Sequence, residues 1–73
     1  MKNKIYMFYG TKAYEEMENT ILFANTIGIT ADRMDTDDDY SGIDDPTLYL
    51  AIYATTVEHL KIQKFINMIG NMN

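Results

Sequence analysis

Apolar and polar positions alternate with period two from Lys4 to Tyr9, with Ile5, Met7 and Tyr9 on one side and Tyr6 and Phe8 on the other. That period predicts a strand, ended by Gly10. The pattern then changes to a helical one. Ala13, Tyr14, Met17, Thr20, Ile21, Ala24 and Ile27 share one face, with Thr11 as N-cap and Glu15, Glu16 and Glu18 near the positive helix end. Gly28 supplies a left-handed C-cap. Leu22 and Phe23 point away from the stripe.

Residues 29–36 follow as a short edge strand, and residues 37–46 read as loop because Asp, Ser, Gly and Pro dominate them. Residues 47–55 are the clearest strand, with Leu48, Leu50, Ile52 and Ala54 on one face and Tyr49, Ala51, Tyr53 and Thr55 on the other. Thr55-Thr56-Val57-Glu58 is a capping box that opens a last helix. Its core stripe is Ile62, Phe65, Ile66 and Ile69, Gly70 closes it, and Leu60 lies opposite.

The order strand, helix, strand, strand, helix predicts one α+β domain. A right-handed crossover and a short antiparallel connection place the 47–55 strand between the other two. The expected architecture is a β-α-β-β-α ferredoxin-like plait lacking its fourth strand, a three-stranded sheet with two helices on its aliphatic face. The missing strand leaves Ile5, Tyr6, Met7, Phe8 and Tyr9 as an apolar edge, which soluble proteins rarely leave bare. Pairing of that edge with its copy across a two-fold axis predicts a homodimer with a continuous sheet.

Size makes such a partner useful. A chain of 73 residues buries only ~60% of its unfolded surface. With no Cys, disulfide staples and thiolate metal sites are excluded. Only five apolar residues follow the charged start before Gly10, too few for a signal sequence or a membrane span. A soluble, cytoplasmic protein is expected. The abundance of Ile, Asn, Lys, Tyr and Met suits AT-rich codons, as in a low-GC bacterium or its phages.

Charge then singles out one segment. Between Asp32 and Asp45 the chain carries seven aspartates and one arginine, whereas five lysines and four glutamates nearly cancel elsewhere. Such a patch repels itself unless a cation or a basic partner meets it. An acidic chain is poorly suited to nucleic acid itself, because phosphate contacts need Lys and Arg. Catalytic groups are sparse: one His, one Ser, no Cys and no glycine-rich phosphate loop. A hydrolytic triad cannot be assembled, and a polar loop does not separate carboxylate pKa values. No enzyme and no cofactor are expected. His59 reads as a boundary residue of the last helix, with a base or a pH switch as its alternative.

Asp35, Asp37 and Asp39 begin like an EF-hand loop, but Tyr40 stands where Gly is needed and Pro46 where a bidentate Glu belongs. A Ca²⁺-binding or regulatory plait is the alternative this leaves open. As phosphate mimics, alternate aspartates of an extended segment stand ~6.8 Å apart on one face, against one DNA charge per ~1.7 Å of axis. Two such rows from a dimer come closer to DNA. The candidate protein-binding residues are therefore Asp35, Asp37, Asp38, Asp39, Tyr40, Asp44 and Asp45, for a partner with a basic DNA-binding groove. A solvated acidic turn that only maintains solubility is the plainer alternative. Tyr6, Phe8, Tyr49 and Tyr53 are expected on the bare sheet face, where a protein interface suits them better than RNA stacking because no cation lies among them. Leu22, Phe23 and Leu60 add apolar area off the core.

The length and the segment Met34-Asp35-Thr36-Asp37-Asp38-Asp39-Tyr40 resemble the acidic host-takeover proteins of phages, most of all the staphylococcal-phage inhibitors of the bacterial DNA sliding clamp. That resemblance implies a dimer that docks on the clamp and blocks its positively charged DNA channel or its loading. Clamp ligands usually carry a Gln-led peptide for the clamp's hydrophobic cleft. The only Gln-led stretch here, Gln63-Lys64-Phe65-Ile66, is expected to be buried in the last helix, so the resemblance implies channel occlusion and not cleft binding.

Overall fold

A computed structural model describes residues 1–34 and 47–71. The elements run β1 (Lys2–Phe8), α1 (Ala13–Thr26), β2 (Ala31–Met34), β3 (Leu48–Ala54) and α2 (Thr56–Asn71). The sheet order is β1-β3-β2. Both outer strands are antiparallel to β3 and therefore parallel to each other. This is the expected α+β arrangement, consistent with a truncated ferredoxin-like plait.

Register sorts the side chains. Phe8 pairs with Leu48, Tyr6 with Leu50, Lys4 with Ile52 and Lys2 with Ala54. Phe8, Tyr6, Leu48, Leu50, Ile52 and Ala54 are all buried, packed with Ala13, Met17 and Ala24 of α1 and Ile62 of α2. Full burial of a side chain such as Leu50 or Ile62 contributes about 1.5–3 kcal/mol. The helices therefore cover the face that carries Tyr6 and Phe8, which corrects the expectation that these two share the bare face with Tyr49 and Tyr53. Ile5, Met7, Tyr49 and Tyr53 occupy that bare face instead.

The turns explain where the helices begin and end. Gly10 has φ +96°, and the Ala13 amide donates to its carbonyl at 3.1 Å. Helix α1 follows from Lys12, which makes no side-chain cap bond, so the expected Thr11 cap is replaced by this glycine turn. At the other end Gly28 has φ +82°, as the sequence predicts. The Ile29 amide donates to the Ala24 carbonyl at 2.8 Å and the Gly28 amide to that of Asn25 at 3.1 Å. That pair of bonds is a Schellman motif, and buried Ile29 fixes the chain to the core behind it.

On α1 the stripe buries Ala13, Met17, Thr20 and Ala24, with Tyr14 left exposed. Thr20 lies wholly inside because its hydroxyl donates to the Glu16 carbonyl at 2.8 Å, the usual way a helix accepts a buried hydroxyl. Leu22 is exposed as expected. Phe23 is not: its ring stacks on Phe65 of α2 at a centroid distance of 4.4 Å and 9° between planes, closing the seam between the helices.

Helix α2 opens on the expected capping box. The Thr55 amide donates to Glu58 Oε1 at 2.9 Å and the Glu58 amide to Thr55 Oγ1 at 3.2 Å. Ile62 is its one fully buried apolar residue, with Phe65 and Ile66 half-buried. The helix runs through Gly70 to Asn71, so Gly70 does not end it. Among the described residues no helix is long and apolar enough to cross a membrane.

Candidate protein-binding face

The aspartate-rich candidates Asp35, Asp37, Asp38, Asp39, Tyr40, Asp44 and Asp45 lie outside the described residues. What is fixed is where that segment is tethered: it leaves β2 after Met34 and rejoins the chain at Thr47, just before β3. Met34 pairs with Tyr49 across the sheet, so the acidic segment is hung from one end of the β2–β3 pair. Among the described residues no group of three or more His, Asp or Glu side chains is placed to hold a metal ion.

The bare face of the sheet begins at that same pair. Ile5, Met7, Met34 and Tyr53 are each roughly half exposed, at 52%, 54%, 45% and 58%. Register sets Ile5 opposite Ala51, Met7 opposite Tyr49 and Asp32 opposite Ala51 from the other side. These residues therefore form a continuous apolar surface with Asp32 as the charged group on it.

Every lysine and arginine side chain lies elsewhere. Lys2 and Lys4 pair in register with the buried Ala54 and Ile52, on the helix side. Lys4 Nζ reaches Gln63 of α2 at 3.5 Å and lies 5.3 Å from the Tyr6 ring centroid. Arg33 meets Glu18 of α1 at 3.7 Å and stacks over Tyr14. Lys12 pairs with Glu15 at 3.5 Å, and Lys61 and Lys64 belong to α2. The sheet thus divides charge: cations behind it, an aspartate and aromatic and thioether side chains in front.

Of the expected dimer edge, β1 is an outer strand as anticipated, with Ile5 and Met7 exposed on its bare side and Tyr9 exposed beyond its end. Tyr6 and Phe8 face the helices and are only 8% and 4% exposed. Their side chains are therefore core residues, and only their backbone is available to a strand partner.

His59 lies deeper than a boundary residue, at 6% exposure. Its Nδ1 is 2.8 Å from the Tyr6 hydroxyl and its Nε2 is 2.9 Å from the Lys2 carbonyl. A carbonyl can only accept, so Nε2 carries the proton and the Tyr6 hydroxyl donates to Nδ1. Burial pushes the Tyr6 phenol above its ordinary pKa. No buried side-chain polar atom among the described residues lacks a partner. The signal for this pair was present in the sequence: a tyrosine in a strand and a lone histidine on a core-facing helix need each other if both are buried.

A shallow groove of about 430 Å³ runs between the helices, lined by Phe23, Lys61, Lys64, Phe65 and Met68. In the Gln-led stretch, Gln63 and Lys64 are exposed and Phe65 and Ile66 half-buried, which corrects the expectation of a buried peptide. Phe65 is nonetheless held against Phe23 and is not free to enter a partner's cleft. Comparison with known proteins finds no matching family model, no matching curated protein and no matching solved structure.

Proposed function

We propose that this protein is a non-enzymatic inhibitor that binds a basic DNA-holding protein through its aspartate-rich segment, acting in the cytoplasm of a bacterial host. The target we propose is the DNA polymerase sliding clamp, whose occupied channel blocks host DNA replication. The acidic segment stands in for DNA phosphates, and a homodimer joined along β1 supplies two such segments to one target.

The observation that carries this reading is the segregation of charge: seven aspartates and one arginine within residues 32–45 of a chain whose remaining charges nearly balance. Like charges held that close favour whatever neutralises them, and a groove lined with Lys and Arg does so with fast, salt-sensitive association. The placement of the lysines and the arginine supports it: they lie on the helix side of the sheet or at the helices, and none is on its bare face. The buried state of His59, with both ring nitrogens engaged, gives no support to a catalytic alternative.

The test is capture from bacterial lysate on the immobilised protein at low and at high salt, with the retained proteins identified by mass spectrometry. The clamp is expected at low salt, released by salt and displaced by duplex DNA carrying a loaded clamp's footprint. Absence of the clamp, or retention that salt does not weaken, contradicts the proposal.

A further inference from the structure

We infer that the groove between the two helices is a docking site for an acidic peptide segment of a partner protein. The segment seats one aromatic side chain on the groove floor and meets Lys61 and Lys64 with its carboxylates. The inference draws only on α1 and α2 and goes beyond the proposed function, whose aspartates play no part in it.

Three observations carry it. The first is the floor. Phe23 and Phe65, one from each helix, stack at 4.4 Å with 9° between their planes, and Met68 is exposed beside them. Together with Lys61 and Lys64 they line about 430 Å³, within the ~300–1,000 Å³ range of ligand sites. The second is sign. In a chain of net charge −5, Lys12 and Arg33 are held by Glu15 and Glu18. Lys61 and Lys64 are exposed and make no ion pair among the described residues. No carboxylate among those residues lines the groove, and Glu58, the nearest on α2, is engaged with Thr55 in the capping box. The third is spacing. Lys61, Lys64 and Met68 follow one another along one face of α2, rising ~4.5 Å and then ~6 Å at 1.5 Å per residue. Alternate side chains of an extended peptide stand ~6.8 Å apart on one face, and the flexible lysine stems take up the difference. Two carboxylates then meet the lysines while a ring two residues further on reaches Phe65 and Met68.

The shape of the groove selects among anionic occupants. It is shallow, so a free fatty acid or aromatic acid would keep much of its surface in water, whereas small-ligand sites bury ~70–90% of theirs. A peptide covers the exposed side of its own anchor with neighbouring residues. An incoming ring finds aromatic partners in Phe23 and Phe65 and an adaptable one in Met68. A bilayer takes up protruding apolar side chains, but Phe23 and Phe65 are half-buried against each other. For nucleic acid, two lysines release few counterions. A second copy docked groove to groove would set Lys61 and Lys64 against their own copies, which is repulsive.

The probe is the peptide acetyl-Asp-Ser-Asp-Ser-Phe-amide, titrated into the ¹⁵N-labelled protein and followed by amide resonances. The expected result is that Phe23, Lys61, Lys64, Phe65 and Met68 shift together. Replacing the peptide's Phe by Ser is expected to weaken binding about tenfold, and replacing both its Asp by Asn about three- to fivefold. The double variant Lys61→Gln, Lys64→Gln is expected to lose about the same three- to fivefold toward the acidic peptide and nothing toward the Asn peptide. The two control peptides leave the protein unaltered, so they decide the matter should that variant disturb the fold. Absence of groove shifts at millimolar peptide overturns the inference, as does equal binding of the acidic peptide and either control. Shifts of these residues with phosphatidylglycerol vesicles but not with peptide assign the groove to lipid and overturn it. Concentration-dependent shifts without peptide assign it to a second copy and overturn it as well.

Discussion

The Tyr6 hydroxyl donates to His59 Nδ1 across 2.8 Å, while the other ring nitrogen donates to the Lys2 carbonyl at 2.9 Å. One imidazole thereby ties the start of β1 to the first turns of α2, elements far apart in sequence. Removing the hydroxyl in Tyr6→Phe leaves a buried acceptor unpaired, at a cost of about 1–3 kcal/mol. Urea denaturation is expected to show a lower midpoint at unchanged slope. A midpoint equal to that of the parent would mean that water replaces the hydroxyl and the pair is not structural.

Alkaline pH probes the same pair. Burial raises the folded-state pKa of Tyr6 above its unfolded value near ~10. A proton held more tightly when folded contributes stability that is complete below the unfolded pKa and is lost as pH climbs through the folded one. The parent is therefore expected to lose more stability than Tyr6→Phe between neutral pH and the range above about 10. Thermal midpoints of the two proteins should converge as pH rises; parallel curves would contradict the assignment.

The capping box makes an opposite, acidic prediction. The Thr55 backbone amide, and after it the Thr55 hydroxyl, hold the Glu58 carboxyl below its ordinary pKa. Its contribution is present above the unfolded value near ~4.3 and is lost as pH falls through the lowered folded one. Thr55→Ala is expected to cost about 1 kcal/mol at neutral pH. Glu58→Gln should flatten the acid limb of the stability curve, measured by circular dichroism; an unaltered limb would show that the box does not titrate with folding.

The Phe23–Phe65 stack closes the seam between the helices. A double-mutant cycle with Phe23→Leu and Phe65→Leu is expected to return a coupling of about 0.5–1.5 kcal/mol. Additive losses would indicate that each ring acts only through the area it buries.

Element order was legible because each element announces itself by its own period and its own punctuation. Gly10, Gly28 and the Thr55–Glu58 box mark boundaries by backbone geometry and local hydrogen bonding, which a sequence displays directly. The face of β1 was not legible in the same way. Both of its period-two sets, Tyr6 and Phe8 against Ile5, Met7 and Tyr9, are apolar, so alternation alone leaves the buried side undecided. Register with β3 decides it, by setting Tyr6 and Phe8 beside Leu50 and Leu48, and register is a non-local property. Phe23 escaped for a related reason: it lies off the α1 stripe that faces the sheet, and the ring it stacks on, Phe65, comes from α2, far along the chain. The aspartate-rich site was legible as composition and charge. Its residues, 35–46, fall outside the described ones, and only their points of attachment, after Met34 and before Thr47, are fixed by the strands.

The central claim, that the aspartates replace DNA phosphates before a basic receptor, is tested most directly by changing Asp37, Asp38 and Asp39 together to Asn. Affinity for the purified bacterial sliding clamp is then measured by calorimetry across a salt series. The account predicts parent binding that weakens steeply with salt, and a triple variant that folds as the parent does yet binds at least tenfold more weakly, about 1.4 kcal/mol, with a shallower salt slope. Equal affinity of parent and variant, with the same salt slope, contradicts it.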